Sequence, residues 1–303
     1  MDNCKSAFWQ AMKHSETEER FDTLFYRPMG YVWALLFRRL GVTPNQVTWL
    51  SIFIGIAAGV CFYFDNMSIT LLGIFLLIWA NTYDSADGQL ARMTQHFSKV
   101  GRLIDGFAGD AWFFTIYLAI VLRMTPEWGV WAWGLGAAAG YCHPKQAAMA
   151  EYYRHLHICL RKGNIRGFDL YDDELRYYQT LSFGVRSQFW EKAHIFFYLP
   201  YLKGQERLDG YRAKRLVARF RSCDMSAMSP NVERYCDESA RLVWLCNALS
   251  FNLRSWSLFV GLLLGMPWLF FVFNLTVMNG LLLYLIYRYH RLLDRYISLT
   301  DGL

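Results

Sequence analysis

The chain has 303 residues, of which 54% are hydrophobic, 18% aromatic and only 18% charged; a soluble domain normally carries about 25% charged residues. Its formal net charge is +6, which in so apolar a chain points to cytoplasmic loops and anionic membrane lipids rather than to nucleic acid. Residues 1–25 are polar and charged (Lys5, Lys13, Glu16, Glu18, Glu19, Arg20) and lack the apolar core of a cleavable signal.

Residues 26–40 (YRPMGYVWALLFRRL) place Trp33, Leu36, Phe37 and Leu40 at helical spacing, with Arg38 and Arg39 on another face. This predicts an N-terminal amphipathic helix lying in the membrane interface; a short helix packed on the spans fits the pattern equally well. Pro44 disfavours helical geometry at Thr43, and Thr43 can cap the next helix. No charge occurs in residues 40–64 or 255–287. Such runs read as membrane spans, because a helix needs roughly 20 apolar residues to cross the hydrocarbon.

Span one is predicted from about Val47 to Phe64. After the turn at Asp65-Asn66, span two runs from about Ile69 to Arg92 and ends NTYDSADGQLAR. Residues 93–99 form a short polar turn, and span three, from about Val100 to Leu122, carries Asp105 and Asp110. Thr125-Pro126-Glu127 separates it from span four, Trp128 to about Ala150. There Gly134, Gly136, Gly140 and Ala137–Ala139 offer a small-residue surface suited to a homodimer or to internal packing, and His143-Pro144 predicts a kinked helix end. Residues 151–240 are polar. Within them FWEKAHIFFYLPYL (189–202), interrupted by Glu191 and Lys192, reads as an interfacial or packing segment. The basic stretch 212–221 reads as a solvated helix or as a contact for anionic headgroups. Span five runs from about Leu242 to Leu264 and contains Arg254. Gly265-Met266-Pro267 breaks it, and span six ends near His290.

The predicted fold class is therefore an all-α integral membrane protein with six transmembrane helices and an N-terminal interfacial amphipathic helix. Residues 1–42 form the cytosolic and interfacial segment, 43–158 transmembrane helices one to four, 159–240 a cytosolic loop region, and 241–303 helices five and six with a cytosolic tail. Lys and Arg cluster on one side (Arg38, Arg39, Arg92, Lys99, Arg102, Arg161, Lys162, Arg288, Arg291). The positive-inside rule then places both termini and the inner ends of spans two and three in the cytoplasm, in a multi-pass protein of the cell (inner) membrane. The cysteines (Cys4, Cys61, Cys142, Cys159, Cys223, Cys236, Cys246) show neither a CxxC pair nor zinc spacing and read as reduced thiols.

Carboxylates within spans need a reason, since an ionised Asp at mid-bilayer costs roughly 2.5–3.5 kcal/mol on insertion scales. Asp84 lies eight residues before Arg92, about 12 Å into the span, and Asp105 lies at a similar depth from the opposite direction. Asp84 and Asp87, at i,i+3, share a helix face. Like charges at one depth repel unless a cation compensates them. An all-oxygen set suits a hard ion, Mg²⁺ or else Mn²⁺ or Ca²⁺. The structural alternative is pairing with Arg92, Arg102 or Arg254 that only holds helices together, although intramembrane ionisable residues are functional by default.

The string Asp84-x2-Asp87-Gly88-x2-Ala91-Arg92-x8-Gly101-x3-Asp105 resembles the signature of the CDP-alcohol phosphotransferases (CDP-alcohol phosphatidyltransferases), six-helix membrane enzymes of phospholipid headgroup synthesis. Thr43-Pro44-Asn45-Gln46-Val47-Thr48 resembles the segment preceding their first span, and the resemblance covers residues 26–125. One position departs. The family's fourth Asp would fall at Gly109, and the chain has Asp110 instead. Positions i,i+4 lie about 40° apart on a helix and i,i+5 about 140°, so a π-bulge at Gly109 is expected to restore the shared face; the rival reading is that the base is absent or replaced, leaving a weak or inactive enzyme.

The resemblance implies metal (Mg²⁺ or Mn²⁺) bound by Asp84, Asp87, Asp105 and Asp110, with Asp110 as the base that takes the acceptor's proton. It implies donor contacts from Asn45, Thr48, Gly88, Arg92 and Gly101. Lys145 and Arg254 are candidate acceptor-binding cations, a pattern similar to the branch that joins CDP-diacylglycerol to inositol phosphate or a similar polar alcohol. The alternatives are a transferase using CDP-ethanolamine or CDP-choline with diacylglycerol or ceramide, and, in another class, an ion-coupled transporter or membrane scaffold. The sequence shows no broken-helix inverted repeat of the transporter kind.

Overall fold

The computed structural model describes residues 17–96, 99–182, 184, 186–222 and 225–301; the side chains of residues 99–103, 105, 186, 187, 190, 222, 225–229, 300 and 301 lie outside that description. All regular structure among the described residues is helical. A π-turn (Asp22–Tyr26) leads into α1 (Arg27–Arg39), α2 (Pro44–Cys61), α3 (Met67–Thr94), α4 (Lys99–Trp128) and α5 (Val130–Arg161). There follow α6 (Tyr171–Thr180), α7 (Arg186–Leu208), α8 (Arg212–Ser222), α9 (Met225–Ala240), α10 (Val243–Ala248), α11 (Phe251–Leu263), α12 (Trp268–Phe273) and α13 (Asn279–Asp301). The chain forms two compact units: Met1–Tyr141 with Arg254–Leu275, and Cys142–Leu253 with Thr276–Leu303.

The first unit begins where the sequence signals it. Pro44 opens α2, and Thr43 and Gln46 form a capping box in which Gln46 Oε1 accepts the Thr43 N–H at 2.9 Å. Asn66 starts α3 by accepting the Ile69 N–H at 3.2 Å. Helices α2 and α4 approach closely through Gly55 and Gly59. A Cβ on Gly55 would stand 2.2 Å from the Trp112 ring, and one on Gly59 2.8 Å from Thr115, so only glycine permits this contact. Helix α1 packs on α3: Gly30 lies against Ser85 and Gln89, and Ala34 and Phe37 share a core with Tyr83, Ala86 and Leu90. Of the expected apolar stripe, Phe37 is buried and Trp33 partly so, while Leu36 and Leu40 remain exposed together with Val32. Helix α1 is thus apolar on two sides and uses only one of them against α3.

Two proline signals mark helix boundaries wrongly. Helix α4 continues through Pro126 to Trp128 and stops at Gly129, whose φ of +53° is left-handed and whose N–H bonds Thr125 O at 2.9 Å. Helix α5 continues through Pro144 to Arg161, so His143-Pro144 is not a helix end; apolar helices tolerate such interruptions. The break at Gly265 is where it was expected, with φ +68°. Among the described residues, four helices are long and apolar enough to cross a membrane: Pro44–Cys61, Met67–Thr94, Gly106–Trp128 and Trp268–Leu299. Expected spans four and five are not among them. Expected span five is interrupted after Ala248, leaving α11 only 13 residues long; at that break Arg154 donates to Asn247 Oδ1 (3.1 Å) and Ser250 Oγ (2.9 Å). Of the small-residue surface, Gly136 packs against Val121, while Gly134, Ala137 and Ala138 are exposed.

The second unit turns the polar 151–240 stretch into packed helices joined by buried polar groups. Asp209 is fully buried and accepts from Tyr153 Oη (2.8 Å) and the Ala213 N–H (2.6 Å), which caps α8. Burial pushes its carboxyl up to about 6, against the lowering effect of those hydrogen bonds. Glu206 accepts the Tyr171 N–H at 2.9 Å and pairs with Lys214 at 3.2 Å. Three cations of the basic helix α8 pair within the unit: Arg212 with Asp294 (2.9 Å), Arg219 with Ile297 O (3.1 Å) and Arg221 with Asp173. These pairings serve packing, while Arg215 on the same helix is exposed. Cys61, Cys142, Cys159, Cys236 and Cys246 are free thiols, as expected.

Candidate active site

The C-terminal turns of α3 bring Asn81, Asp84, Ser85, Asp87, Gly88 and Arg92 to one cavity of about 250 Å³. Spacings of three and four residues put these groups on one helix face. The opposite wall is the N-terminal π-turn and the start of α1, through Asp22, Tyr26 and Arg27. Sequence reasoning missed this wall. The usable signal was Gly30, whose missing side chain lets the backbone approach Ser85, with a Cβ position only 3.0 Å from its Oγ.

The wall is held by specific bonds. Arg27 pairs with Glu18 at 3.1 Å and donates to Ser85 Oγ at 3.3 Å, while its carbonyl accepts from Gln89 Nε2 at 3.0 Å. Tyr26 is 5% exposed and lies against the Asn81 amide; burial pushes its phenol up to about 12. On the other flank of α3, Thr48 Oγ1 lies 2.6 Å from Asp87 Oδ2 and 3.1 Å from Pro44 O. The hydroxyl has one proton, and the shorter, charge-assisted bond takes it. Thr48 therefore fixes the orientation of Asp87, itself only 5% exposed. The Arg92 guanidinium folds over Gly88, 3.4 Å from where a Cβ would stand.

Asp84 and Asp87 offer only hard oxygen donors beside this cavity, which fits part of the shell of Mg²⁺ or Mn²⁺. Among the described residues no three His, Cys, Asp or Glu side chains converge as a metal set. The expected third carboxylate, Asp105, has its side chain outside the described residues, as does the neighbourhood of Gly101.

Residues 41–142 match the CDP-alcohol phosphatidyltransferase family. The match covers about a third of the chain and contains the whole Asp84–Asp105 string. One relative, the archaetidylinositol phosphate synthase of Pyrococcus horikoshii, is 36% identical over 91 residues, which are 30% of this chain and 47% of that protein. The chain thus spans about half the length of the curated relative it matches.

Within the family stretch, other expected site residues stand apart from the cavity. Helix α4 is regular through Asp105 and Asp110, so the expected π-bulge is absent. Gly109 has open space at its Cβ position, so no neighbour wedges into the helix there. Asp110 is exposed and is not among the residues lining the cavity. Asn45 is half-buried in the first turn of α2, also outside the lining. Beyond the stretch, Arg254 is 1% exposed with its guanidinium 5.7 Å from the Phe113 ring centroid. Arg254 is not among the residues lining the cavity at Asp84 and Asp87. Lys145 is half-buried on α5, in the second unit.

Proposed function

We propose that this chain is a membrane-embedded CDP-alcohol phosphotransferase that moves a substituted phosphate from a CDP-linked donor to an acceptor hydroxyl, releasing CMP. The observation that carries the reading is the pair Asp84 and Asp87 on a polar cavity, with Thr48 orienting Asp87, inside the stretch that matches the family. Asp84, Asp87 and Asp105 would hold a divalent ion, Mg²⁺ or Mn²⁺. When bound, that ion would neutralise the diphosphate and stabilise CMP as it leaves. Arg92 meets the diphosphate at the cavity mouth, and Gly88 and Gly101 leave room for it. Asn45, outside the cavity lining, and Thr48 are assigned to the CDP moiety by the family resemblance alone.

The favoured donor is CDP-diacylglycerol and the favoured acceptor inositol phosphate or a similar polar alcohol. Two things support the acceptor: the name of the Pyrococcus relative, an archaetidylinositol phosphate synthase, and a cavity lined mainly by charged and polar residues, which suits a hydroxyl-rich acceptor better than a lipid one; CDP-diacylglycerol as donor follows from the family resemblance alone. Tyr26, Asn81 and Ser85 are the hydrogen-bonding groups available to it. Lys145 and Arg254 remain assigned to the acceptor only by their charge. Asp110 is assigned as proton acceptor as the Asp one position beyond the signature's fourth place, although without a π-bulge i,i+5 sets it about 140° from Asp105 on the helix. Asp110→Asn tests this: lost turnover with donor binding retained supports it, and unchanged turnover moves the base elsewhere.

The membrane arrangement completes the reading. Helix α5 and the α10–α11 pair add two spans to the four apolar helices, and both termini and the cavity face the cytoplasm at the inner membrane, set by the Lys and Arg distribution. Purified protein with Mg²⁺ tests the substrate pair. CMP release with CDP-diacylglycerol and inositol phosphate supports the proposal; release only with CDP-ethanolamine and diacylglycerol moves the chain to the other branch; release with neither pair removes the reading.

A further inference from the structure

Helix α7 is apolar on two opposite sides. Its inward side buries Ile195 and Leu199 in a core with Leu181, packed by Tyr171, Leu175 and Tyr178. Its outward side exposes Phe189, Phe196, Phe197, Tyr201 and Leu208, with Phe197 73% exposed. At 100° per residue these five fall within an arc of about 140°. Ala193, Pro200 and Gly204 share that arc, and the charged positions on it, Arg186 and Arg207, stand in the first and last turns of the helix. A contiguous aromatic face of this kind is not the surface of a helix that ends in water.

The same unit indicates what covers it. Near its C-terminal end α7 is tied to two long helices: Gln205 Nε2 donates to Ala148 O at 2.7 Å, and Asp209, just beyond α7, accepts from Tyr153. Tyr153 in turn stacks on Tyr289 with ring centroids 4.0 Å apart, and His290 Nε2 lies 3.7 Å from Asp209. Tyr289 and His290 sit where the uncharged run of α13 gives way to Arg288, Arg291 and Asp294. That change from apolar to charged is where a spanning helix leaves the hydrocarbon. Helix α7 is therefore anchored at the depth of the membrane surface. Along its edge, His194, Tyr198 and Tyr201 stack in a row, and Tyr198 Oη donates to Asp169 at 3.0 Å. Rings with polar tips are the groups that settle at a membrane–water boundary.

We infer that α7 lies along the membrane surface with Phe189, Phe196, Phe197 and Tyr201 sunk among lipid acyl chains, so that the folded 151–240 region docks on the bilayer through this helix. The occupant is lipid, and the inference rests on α13 spanning the membrane, not on the catalytic assignment.

Photo-cross-linking of the full chain tests it. A benzophenone amino acid replaces Phe197 in one sample and the exposed Glu233 in another, each reconstituted in nanodiscs of phosphatidylcholine and phosphatidylglycerol. The expected result is a phospholipid mass adduct at position 197, several-fold more abundant than at position 233. Cross-linking of position 197 to a second copy of the chain would overturn the inference, as would equal lipid adducts at both positions or none at 197. CMP release measured on the same samples reports separately on the catalytic reading.

Discussion

Acidic residues in the two units do opposite work. Around α3, Asp84 and Asp87 face a cavity, and Asp87 is oriented by the neutral hydroxyl of Thr48. In the second unit, Asp209 and Glu206 are buried deeper and are met by a tyrosine, a lysine and two backbone N–H groups. Buried acids whose partners come from their own unit hold helices together. In the proposed function, Asp84 and Asp87, which line a polar cavity, would meet a bound ion there. On that function, acidity inside this protein marks chemistry where it borders open space, and packing where the chain closes over it.

The most forceful way to break this comparison is Asp87→Asn. It should lower CMP release by about 10²–10³-fold, the size expected when one charge-stabilising group is lost, with the melting temperature preserved; a variant at full activity would erase the distinction. Gly55→Leu attacks the scaffold instead. Its side chain has nowhere to go beside Trp112, so thermal unfolding in detergent should show a loss of about 1–3 kcal/mol or more. Thr48→Val keeps the volume but removes the hydroxyl on Asp87. Turnover should fall about tenfold, the cost of one good hydrogen bond to a charged group, and a higher metal concentration should recover part of it.

The second unit supplies the pH test. Asp209 is lifted to about 6 from an ordinary 3.8 by burial. A carboxyl raised in this way binds its proton more tightly folded than unfolded. Its contribution to stability is therefore full below the unfolded value and is lost as pH rises through about 6. Hydrogen exchange at the Ala213 amide should slow between pH 7 and pH 5, after correction for intrinsic rates, by the equivalent of about 1 kcal/mol. Asp209→Asn should flatten that dependence. The smallest effect is expected from Tyr26→Phe, with a KM for the acceptor alcohol raised about threefold, less than one net hydrogen bond, and a donor KM unchanged. A donor effect instead would mean that the N-terminal wall reads the nucleotide.

Much of the first unit was legible because its signals are local. The uncharged run 40–64 marks span one and mostly apolar stretches mark spans two and three, the Thr43 cap and the Gly265 turn fell where their residue types put them, and Asp84, Asp87, Gly88 and Arg92 lie together because three- and four-residue spacing is a helix face. The N-terminal wall was hidden because Gly30 meets Ser85 across more than fifty residues of chain, and polar residues near a terminus read as a tail. Pro126 and Pro144 misled because a proline interrupts one backbone bond, which a long helix absorbs. The π-bulge was inferred from spacing alone, and nothing packs against Gly109 to force one. The second unit escaped because its acids and bases pair between distant helices, leaving a stretch that looks uniformly polar in sequence.

The account depends most on Asp84 and Asp87 jointly binding a divalent cation at this cavity, and Mn²⁺ titration followed by electron paramagnetic resonance tests it directly. The wild-type chain with CMP should bind Mn²⁺ stoichiometrically, and the Asp84→Asn/Asp87→Asn variant, shown to be folded by its circular dichroism, should not. Equal binding by both proteins would contradict the assignment.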